Sequence, residues 1–292
     1  MVASTPAILF WFYRDAALCE NRLRTIRRFN PGCRIFGLYG GDPARAEEFE
    51  GRLRPLLDDF YAYDGPGDPW WKWINGDLVI RAWYVERGRQ LDWRSVLVVQ
   101  WDVLILGPVT ALVGSPAEDE VVLSGLRPVS EVDAWWPWVS GENGAVFDSF
   151  MRRLRERTHF QGQGWCCQFV LVCFGRRFLE EYARVDEPEA GFIEYRVPTY
   201  AHAFGLRVSA LRASCWWEGD PTMATVPERG RILSARRSPV ATRHVLRSWI
   251  ANRATAAHPY RLPFPLDTVG VMLFLKRNLL QRARSALNPA AR

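Results

Sequence analysis

Asp102 is the side chain best placed for chemistry. It closes Gln100-Trp101-Asp102, directly after the apolar run Val96–Val99. A carboxylate at the mouth of a buried strand is desolvated and costly unless paired or metal-bound. Together with substrate phosphates, such oxygens suit a hard divalent cation. The plainer use is a cap for the next turn or an ion pair with an arginine. Glu194, in Phe192-Ile193-Glu194-Tyr195-Arg196-Val197-Pro198-Thr199, stands between apolar residues ahead of a proline turn. Burial there would raise its pKa toward the range of a general base, and an ion pair with Arg196 or another arginine competes with that role. The 14 tryptophans cluster at Trp70-Trp71-Trp73, Trp135-Trp136-Trp138 and Trp216-Trp217. Indole faces stack on the apolar faces of sugar rings and on unpaired bases, while packing in a core is their plainer use.

Absent motifs narrow the choice. Gly40-Gly41 lacks the G-x-x-x-x-G-K-[ST] pattern of a P-loop, and no G-x-G-x-x-G follows the first apolar run, which disfavours ATPase and dinucleotide chemistry. Cys19, Cys33, Cys166, Cys167, Cys173 and Cys215 form no C-x-x-C pair. They read as buried free thiols in a reducing compartment.

The elements that must hold these residues alternate. Ala7–Tyr13, Arg34–Tyr39, Asp59–Tyr63, Ser95–Gln100 and Glu120–Ser124 read as strands, and Ala17–Phe29, Ala44–Leu57 and Leu78–Arg87 as helices. Asp77 is the expected N-cap of the last helix and Gly88 its stop, and the Gly65–Pro69 stretch reads as a loop. This alternation argues for a mostly parallel sheet with helices on its faces. Such sheets bind ligands at the carboxyl ends of their strands. Farther on, Gln168–Phe174 and Leu206–Ala210 read as strands, and Arg177–Arg184 as a helix. A short helix is expected at Thr199–Phe204 after Pro198, and one near Ala241–Arg253 within a loop-rich stretch.

Residues 7–210 resemble a nucleotide-sugar-dependent glycosyltransferase of the GT-A type. The matching pieces are Ile8–Asp15 with the helix after it, Phe36-Gly37-Leu38-Tyr39-Gly40-Gly41, and Trp93–Leu106 around Gln100-Trp101-Asp102. The last resembles the family's Asp-x-Asp motif, with Gln100 in place of the first carboxylate. The resemblance implies a GT-A type, Rossmann-like α/β fold: a mixed, mostly parallel sheet flanked by helices, with a basic C-terminal extension. It also implies transfer of a hexose-type sugar from a nucleoside-diphosphate donor to an acceptor hydroxyl, assisted by manganese or magnesium. Asp102 would be the metal ligand, joined by His258 of Ala256-Ala257-His258-Pro259-Tyr260-Arg261. Gln100 would hydrogen-bond a ribose or phosphate without contributing charge.

In the same resemblance Glu194 faces the acceptor hydroxyl, as base if the reaction inverts configuration and as a positioning group if it retains it. Tyr13, Arg14 and Asp15 would meet base and ribose, Asp64 the base, and Lys72 and Arg81 the diphosphate. For each of these a turn cap or surface charge is the plainer role. Trp135, Trp136 and Trp138 follow a strand end where the family's acceptor loops occur, and are the expected acceptor platform. The implied division is a catalytic domain over 1–220, a segment over 221–267 that completes the active site, and a tail helix over 268–292.

Charge divides the chain in a similar way. Residues 1–220 carry 25 basic and 30 acidic side chains, whereas residues 221–292 carry 13 and 2. A basic segment suggests an anionic neighbour. Residues 268–292 hold Lys276, Arg277, Arg282, Arg284 and Arg292 and no acid. On a helix, Val269, Met272, Leu273, Leu279, Leu280, Ala283 and Leu287 fall on one side, the pattern of an interfacial helix on an anionic membrane. Packing of that stripe on the catalytic domain is the alternative. No apolar run approaches the ~20 residues of a spanning helix, and Met1–Arg14 shows no secretory signal. The expected location is cytoplasmic, peripheral at the inner membrane face, beside a glycan or lipid-linked acceptor. A catalytically inactive carbohydrate- or nucleotide-binding relative and a single-strand nucleic-acid binder remain as alternatives. The second sits poorly with tryptophans held mostly in the acidic part of the chain, so no nucleic-acid partner is expected.

Overall fold

The computed structural model describes residues 5–186, 188, 190–213, 215–223, 233–234, 239–240, 242–250 and 255–265. In chain order the first half runs β1 (Ala7–Phe12), α1 (Ala16–Phe29), β2 (Ile35–Tyr39), α2 (Ala46–Leu53), β3 (Asp59–Ala62), α3 (Pro69–Ile74), α4 (Gly76–Glu86), β4 (Ser95–Gln100), β5 (Leu104–Ile105), α5 (Val109–Val113) and β6 (Glu120–Leu123). It continues with β7 (Arg127–Pro128), α6 (Glu142–Thr158), β8 (Trp165–Cys166), β9 (Leu171–Gly175), α7 (Arg176–Ala183), α8 (Ile193–Ala203) and β10 (Arg207–Ala210). Short pieces follow: β11 (Cys215–Trp216), β12 (Leu233–Ser234), α9 (Thr242–Ile250) and β13 (Ala256–Ala257).

Seven strands form one sheet in the order β10-β6-β9-β4-β1-β2-β3. All run parallel except β9, which is antiparallel to both β4 and β6. The mixed, mostly parallel α/β sheet is therefore as expected. Strand alternation explains its two cores. Leu9, Trp11, Val96 and Val98 face a layer containing Val79, Ile80 and Trp83 of α4 and Phe178 of α7. Ile8, Phe10, Phe12, Leu97 and Val99 face the opposite layer, with Leu23 and Ile26 of α1 and Phe49 of α2. Both faces of β1 and β4 are apolar because both are covered by helices. Gly76 opens α4 where the Trp11 ring lies against the backbone, and a Cβ there would overlap the ring.

Three expectations are corrected. The helix expected at Ala44–Leu57 is a core of α2 flanked by 3-10 turns at Pro43–Arg45 and Arg54–Leu56. The expected loop over Gly65–Pro69 is present as far as Asp68, which caps α3 with Pro69 in its first turn. Asp77 is no N-cap. It lies inside α4, buried, and holds Arg196 of α8, with Arg196 Nε donating to its Oδ2 at 2.8 Å.

The third correction is at α8, which runs unbroken through Pro198. A proline inside a helix leaves the carbonyl four residues back without its N–H. Here that carbonyl belongs to Glu194, and Cys167 N–H donates to it at 2.8 Å. Thr199 Oγ1 adds bonds to Trp165 N–H (3.0 Å) and Trp165 O (3.1 Å). The segment entering β9 thus supplies what the proline withholds, and Glu194 sits in the first turn of a helix. The six cysteines are free and buried. The tail expected to form a helix over 268–287 lies outside the described residues, among which no helix is long and apolar enough to cross a membrane.

Candidate active site

The carboxyl ends of β1, β2, β3 and β4 share one edge of the sheet. Tyr13, exposed at 42%, meets the Trp101 ring edge-on at 5.7 Å, and the Arg14 guanidinium lies 4.5 Å from that ring's centre. Asp15 takes the left-handed conformation (φ 54°) and caps α1 by accepting from Leu18 N–H at 2.9 Å. Its carboxylate is thus committed to the local turn. Gly40 N–H donates to Phe12 O at 2.8 Å, and Lys72 Nζ donates to Gly40 O at 2.9 Å. Partial burial holds the Lys72 ammonium below its usual pKa. Asp64 follows β3 in an exposed position. The Arg81 guanidinium is engaged: it donates to Tyr182 O (3.2 Å), Ala183 O (2.8 Å) and Val185 O (3.1 Å). Those are the carbonyls around the end of α7, so its expected diphosphate role gives way to capping.

Asp102 is completed by a distant segment. β13 pairs antiparallel with β5, Leu106 N–H donates to Thr255 O (2.7 Å), and Tyr260 N–H donates to Asp102 O (2.7 Å). Arg22 of α1, wholly buried, donates through Nη2 to Tyr260 O at 2.7 Å and Leu262 O at 2.8 Å, gripping the backbone on both sides of Arg261. Burial brings the Arg22 pKa down to about 10. The result sets His258 Nε2 3.4 Å from Asp102 Oδ1 and Arg261 Nε 3.2 Å from Asp102 Oδ2. Burial pushes the Asp102 carboxyl up, but His258 and Arg261 outweigh it and hold it below the usual carboxylate range.

A divalent cation finds a partial donor set here. Asp102 Oδ1 is buried without a hydrogen-bond partner, and the imidazole faces it. One carboxylate oxygen and one imidazole are acceptable donors for a manganese- or magnesium-like ion, which commonly keeps water and substrate phosphate as its remaining ligands. Among the described residues no group of three or more His, Cys, Asp or Glu converges on one point. Gln100 is no third donor of charge: its Nε2 donates to Phe169 O at 2.9 Å.

The same residue connects Gln100 to Glu194, because Phe169 N–H, in the peptide before the bonded carbonyl, donates to Glu194 Oε1 at 2.8 Å. Glu194 is 8% exposed. Burial pushes its carboxyl up to about 8, with the Phe169 N–H pulling the other way. The competing ion pair with Arg196 does not form. Arg196 turns to Asp77, to Asn75 Oδ1 (3.0 Å) and to Gly191 O (2.9 Å). An Asp at position 100 could not donate to Phe169 O, so the departure from two carboxylates has a local structural use.

The expected indole platform is rearranged. Trp136 is buried, only 5% exposed, packs on Trp217 and Tyr195, and belongs to the core. Trp135 packs edge-on to Trp217 at 6.1 Å. Trp138 stacks on Phe192 at 4.0 Å and meets Trp73 at 5.3 Å, while Trp73 meets Trp70 at 5.0 Å. Two tryptophan clusters far apart in the chain thus form one row. Arg261 and Phe169 went unnoticed in the sequence. Arg261 stands three positions after His258, but nothing local shows that it would turn back to Asp102, and Phe169 acts through its backbone.

No protein-family model matches the chain, and no curated protein matches it. Among solved structures, the chain is similar to the galactosyltransferase LgtC in complex with donor and acceptor sugar analogs. That likeness covers 79% of this chain and 84% of that chain, at 15% sequence identity and a TM-score of 0.41.

Proposed function

We propose that the chain is a GT-A type glycosyltransferase that moves a hexose-type sugar from a nucleoside-diphosphate donor to an acceptor hydroxyl. The observation that carries this reading is the meeting of Asp102, at the carboxyl end of the central strand β4, with His258 at 3.4 Å. Asp102 and His258 would hold the divalent cation, which supplies positive charge against the departing diphosphate. Arg261 pairs with the other oxygen of Asp102, and His258 and Arg261 together hold that carboxyl ionised against its burial. Tyr13 and Arg14 offer a ring and a guanidinium to the nucleotide at the end of β1. Lys72 holds the Gly40 turn at the end of β2 through its ammonium.

Glu194 takes the acceptor's proton if the reaction inverts configuration. A group held up to about 8 receives that proton well once it is ionised. If the reaction retains configuration, Glu194 accepts a hydrogen bond and orients the acceptor. Gln100 acts through the backbone on either side of the Phe169 Cα to hold Glu194 Oε1 in place.

A donor-hydrolysis screen across UDP- and GDP-sugars, with and without manganese, tests the reading. Turnover of one donor that disappears in Asp102→Asn supports it, and no turnover of any donor removes it. A second reading, a non-catalytic binder of sugar or nucleotide, is favoured by Gln100 in place of a carboxylate. It predicts thermal protection by UDP or GDP with no donor hydrolysis. Docking of the basic tail on an anionic membrane that carries a lipid-linked acceptor belongs to the same proposal. The tail lies outside the described residues, and co-sedimentation with anionic and neutral vesicles tests it on chains with and without residues 268–292.

A further inference from the structure

We infer that Trp70, Trp73 and Trp138 form the binding platform for an uncharged pyranoside acceptor. The inference rests on the glycosyl-transfer reading for the word acceptor. Trp70 and Trp73 are 57% and 50% exposed, a large indole surface left in water. Such apolar patches mark binding sites. They lie one helical turn apart on α3 and therefore share a face. Their rings follow one another at 5.0 Å, Trp73 continues to Trp138 at 5.3 Å, and Trp138 lies 4.0 Å from Phe192. Phe192 is the residue before α8, two positions from Glu194. The row therefore leads from solvent to the residue before α8.

The platform is held before any ligand arrives. Asp68 accepts from Trp71 N–H at 2.7 Å, fixing the start of α3. Asn143 Nδ2 donates to Pro137 O at 2.7 Å, beside Trp138. Arg196 donates to Gly191 O at 2.9 Å, beside Phe192. A backbone fixed in this way, with its rings already stacked on one another, has little conformational freedom to lose on binding.

Charge selects the occupant. The two segments that carry the indoles also carry Asp68, Glu131, Asp133 and Glu142, all exposed. Their one cation, Lys72, turns its ammonium to Gly40 O. Four exposed carboxylates on these two segments, against one engaged ammonium, disfavour nucleic-acid phosphates and anionic lipid headgroups. Carboxylates accept hydrogen bonds from hydroxyls, and indole faces take the C–H face of a pyranose ring. An uncharged sugar meets both demands.

The test uses the full chain and four probes: cellotriose, maltotriose, mannotriose and chitotriose, followed by saturation-transfer NMR and titration calorimetry without donor. At least one should bind, and Trp73→Ala should weaken it by about tenfold or more, in line with one lost anchor ring. Trp73→Phe should recover part of the loss. Because the Trp70 and Trp73 indoles are exposed, the thermal midpoint of Trp73→Ala should stay near that of the parent, which separates lost binding from lost folding. Binding of none of the four, or equal binding by parent and Trp73→Ala, overturns the platform. So does indole-dependent binding to vesicles or single-stranded RNA, or self-association abolished by the substitution. Donor hydrolysis by the parent is read separately. Hydrolysis without sugar binding removes the platform and leaves the transferase reading. Sugar binding without hydrolysis of any donor keeps the platform as a carbohydrate site and removes the transferase reading.

Discussion

Asp102 keeps 4% of its surface exposed and Glu194 keeps 8%, yet the two carboxylates face opposite surroundings. Asp102 has an arginine on one oxygen and an imidazole on the other, brought by a segment from the far end of the chain. Glu194 has one backbone N–H and no cation, since Arg196, two residues away, is taken by Asp77. Burial alone would raise both pKa values, and the presence or absence of cations separates them. One carboxyl is held in the charged form suited to ligating a cation. The other is held near neutrality, where a proton can be taken and returned.

Removing the charge of Asp102 should have the largest effect. Asp102→Asn should lower donor turnover beyond about a thousandfold, since a group that secures leaving-group charge accounts for several kcal/mol of barrier. Circular dichroism should stay unchanged. Donor hydrolysis by Asp102→Asn at the parent's rate, at equal metal, would dissolve the contrast between the two carboxylates.

Glu194→Gln comes next. Transfer to acceptor should fall by about a hundredfold or more while donor binding changes little, the signature of a group that acts in the transition state. The pH dependence sharpens this. Glu194 is held at about 8, above its ordinary value of 4.5, so between those values the folded chain keeps a proton that the unfolded chain releases. Its contribution to stability is present below pH 4.5 and is lost as pH rises through about 8. The thermal midpoint of Glu194→Gln should therefore gain on the parent as pH goes from 5 to 9. Asp102 has the opposite sign: its ion pairs stabilise above its ordinary pKa and are lost as pH falls through the lowered value. Parallel pH profiles for the parent and Glu194→Gln would show that Glu194 is not held above its ordinary range.

His258→Ala should weaken manganese binding by about 10- to 100-fold, with a small change in ligand-free stability. Superimposable metal titrations of variant and parent would leave His258 as a packing residue. The smallest expected effect is that of Gln100→Glu, which replaces the donor to Phe169 O with an acceptor. Transfer should fall by about tenfold, comparable to loss of one neutral hydrogen bond that positions a reacting group. The pH at which transfer rises should move upward as Phe169 N–H loosens from Glu194. A lower rate with an unmoved pH profile would make Gln100 structural only.

The sequence by itself determined the alternating strands and helices of the first half, because both faces of β1 and β4 are written as continuous apolar runs and α1 as an apolar stripe. It also singled out Asp102, since a carboxylate that ends such a run stands out in one dimension. Tertiary structure alone decided what Asp102 touches. Arg261 lies 159 positions away, and only the pairing of β13 with β5 brings it and His258 near. The continuity of α8 was likewise decided from outside, because Pro198 breaks a helix unless something bonds the Glu194 carbonyl, and Cys167 does so across the fold. Trp73 and Trp136 read alike in the sequence, as members of similar clusters. One is half exposed and the other buried because Trp217 and Tyr195 close over Trp136 alone. Local pattern sets backbone form through nearest neighbours, whereas burial, ionisation and pairing depend on groups that only the folded chain brings together.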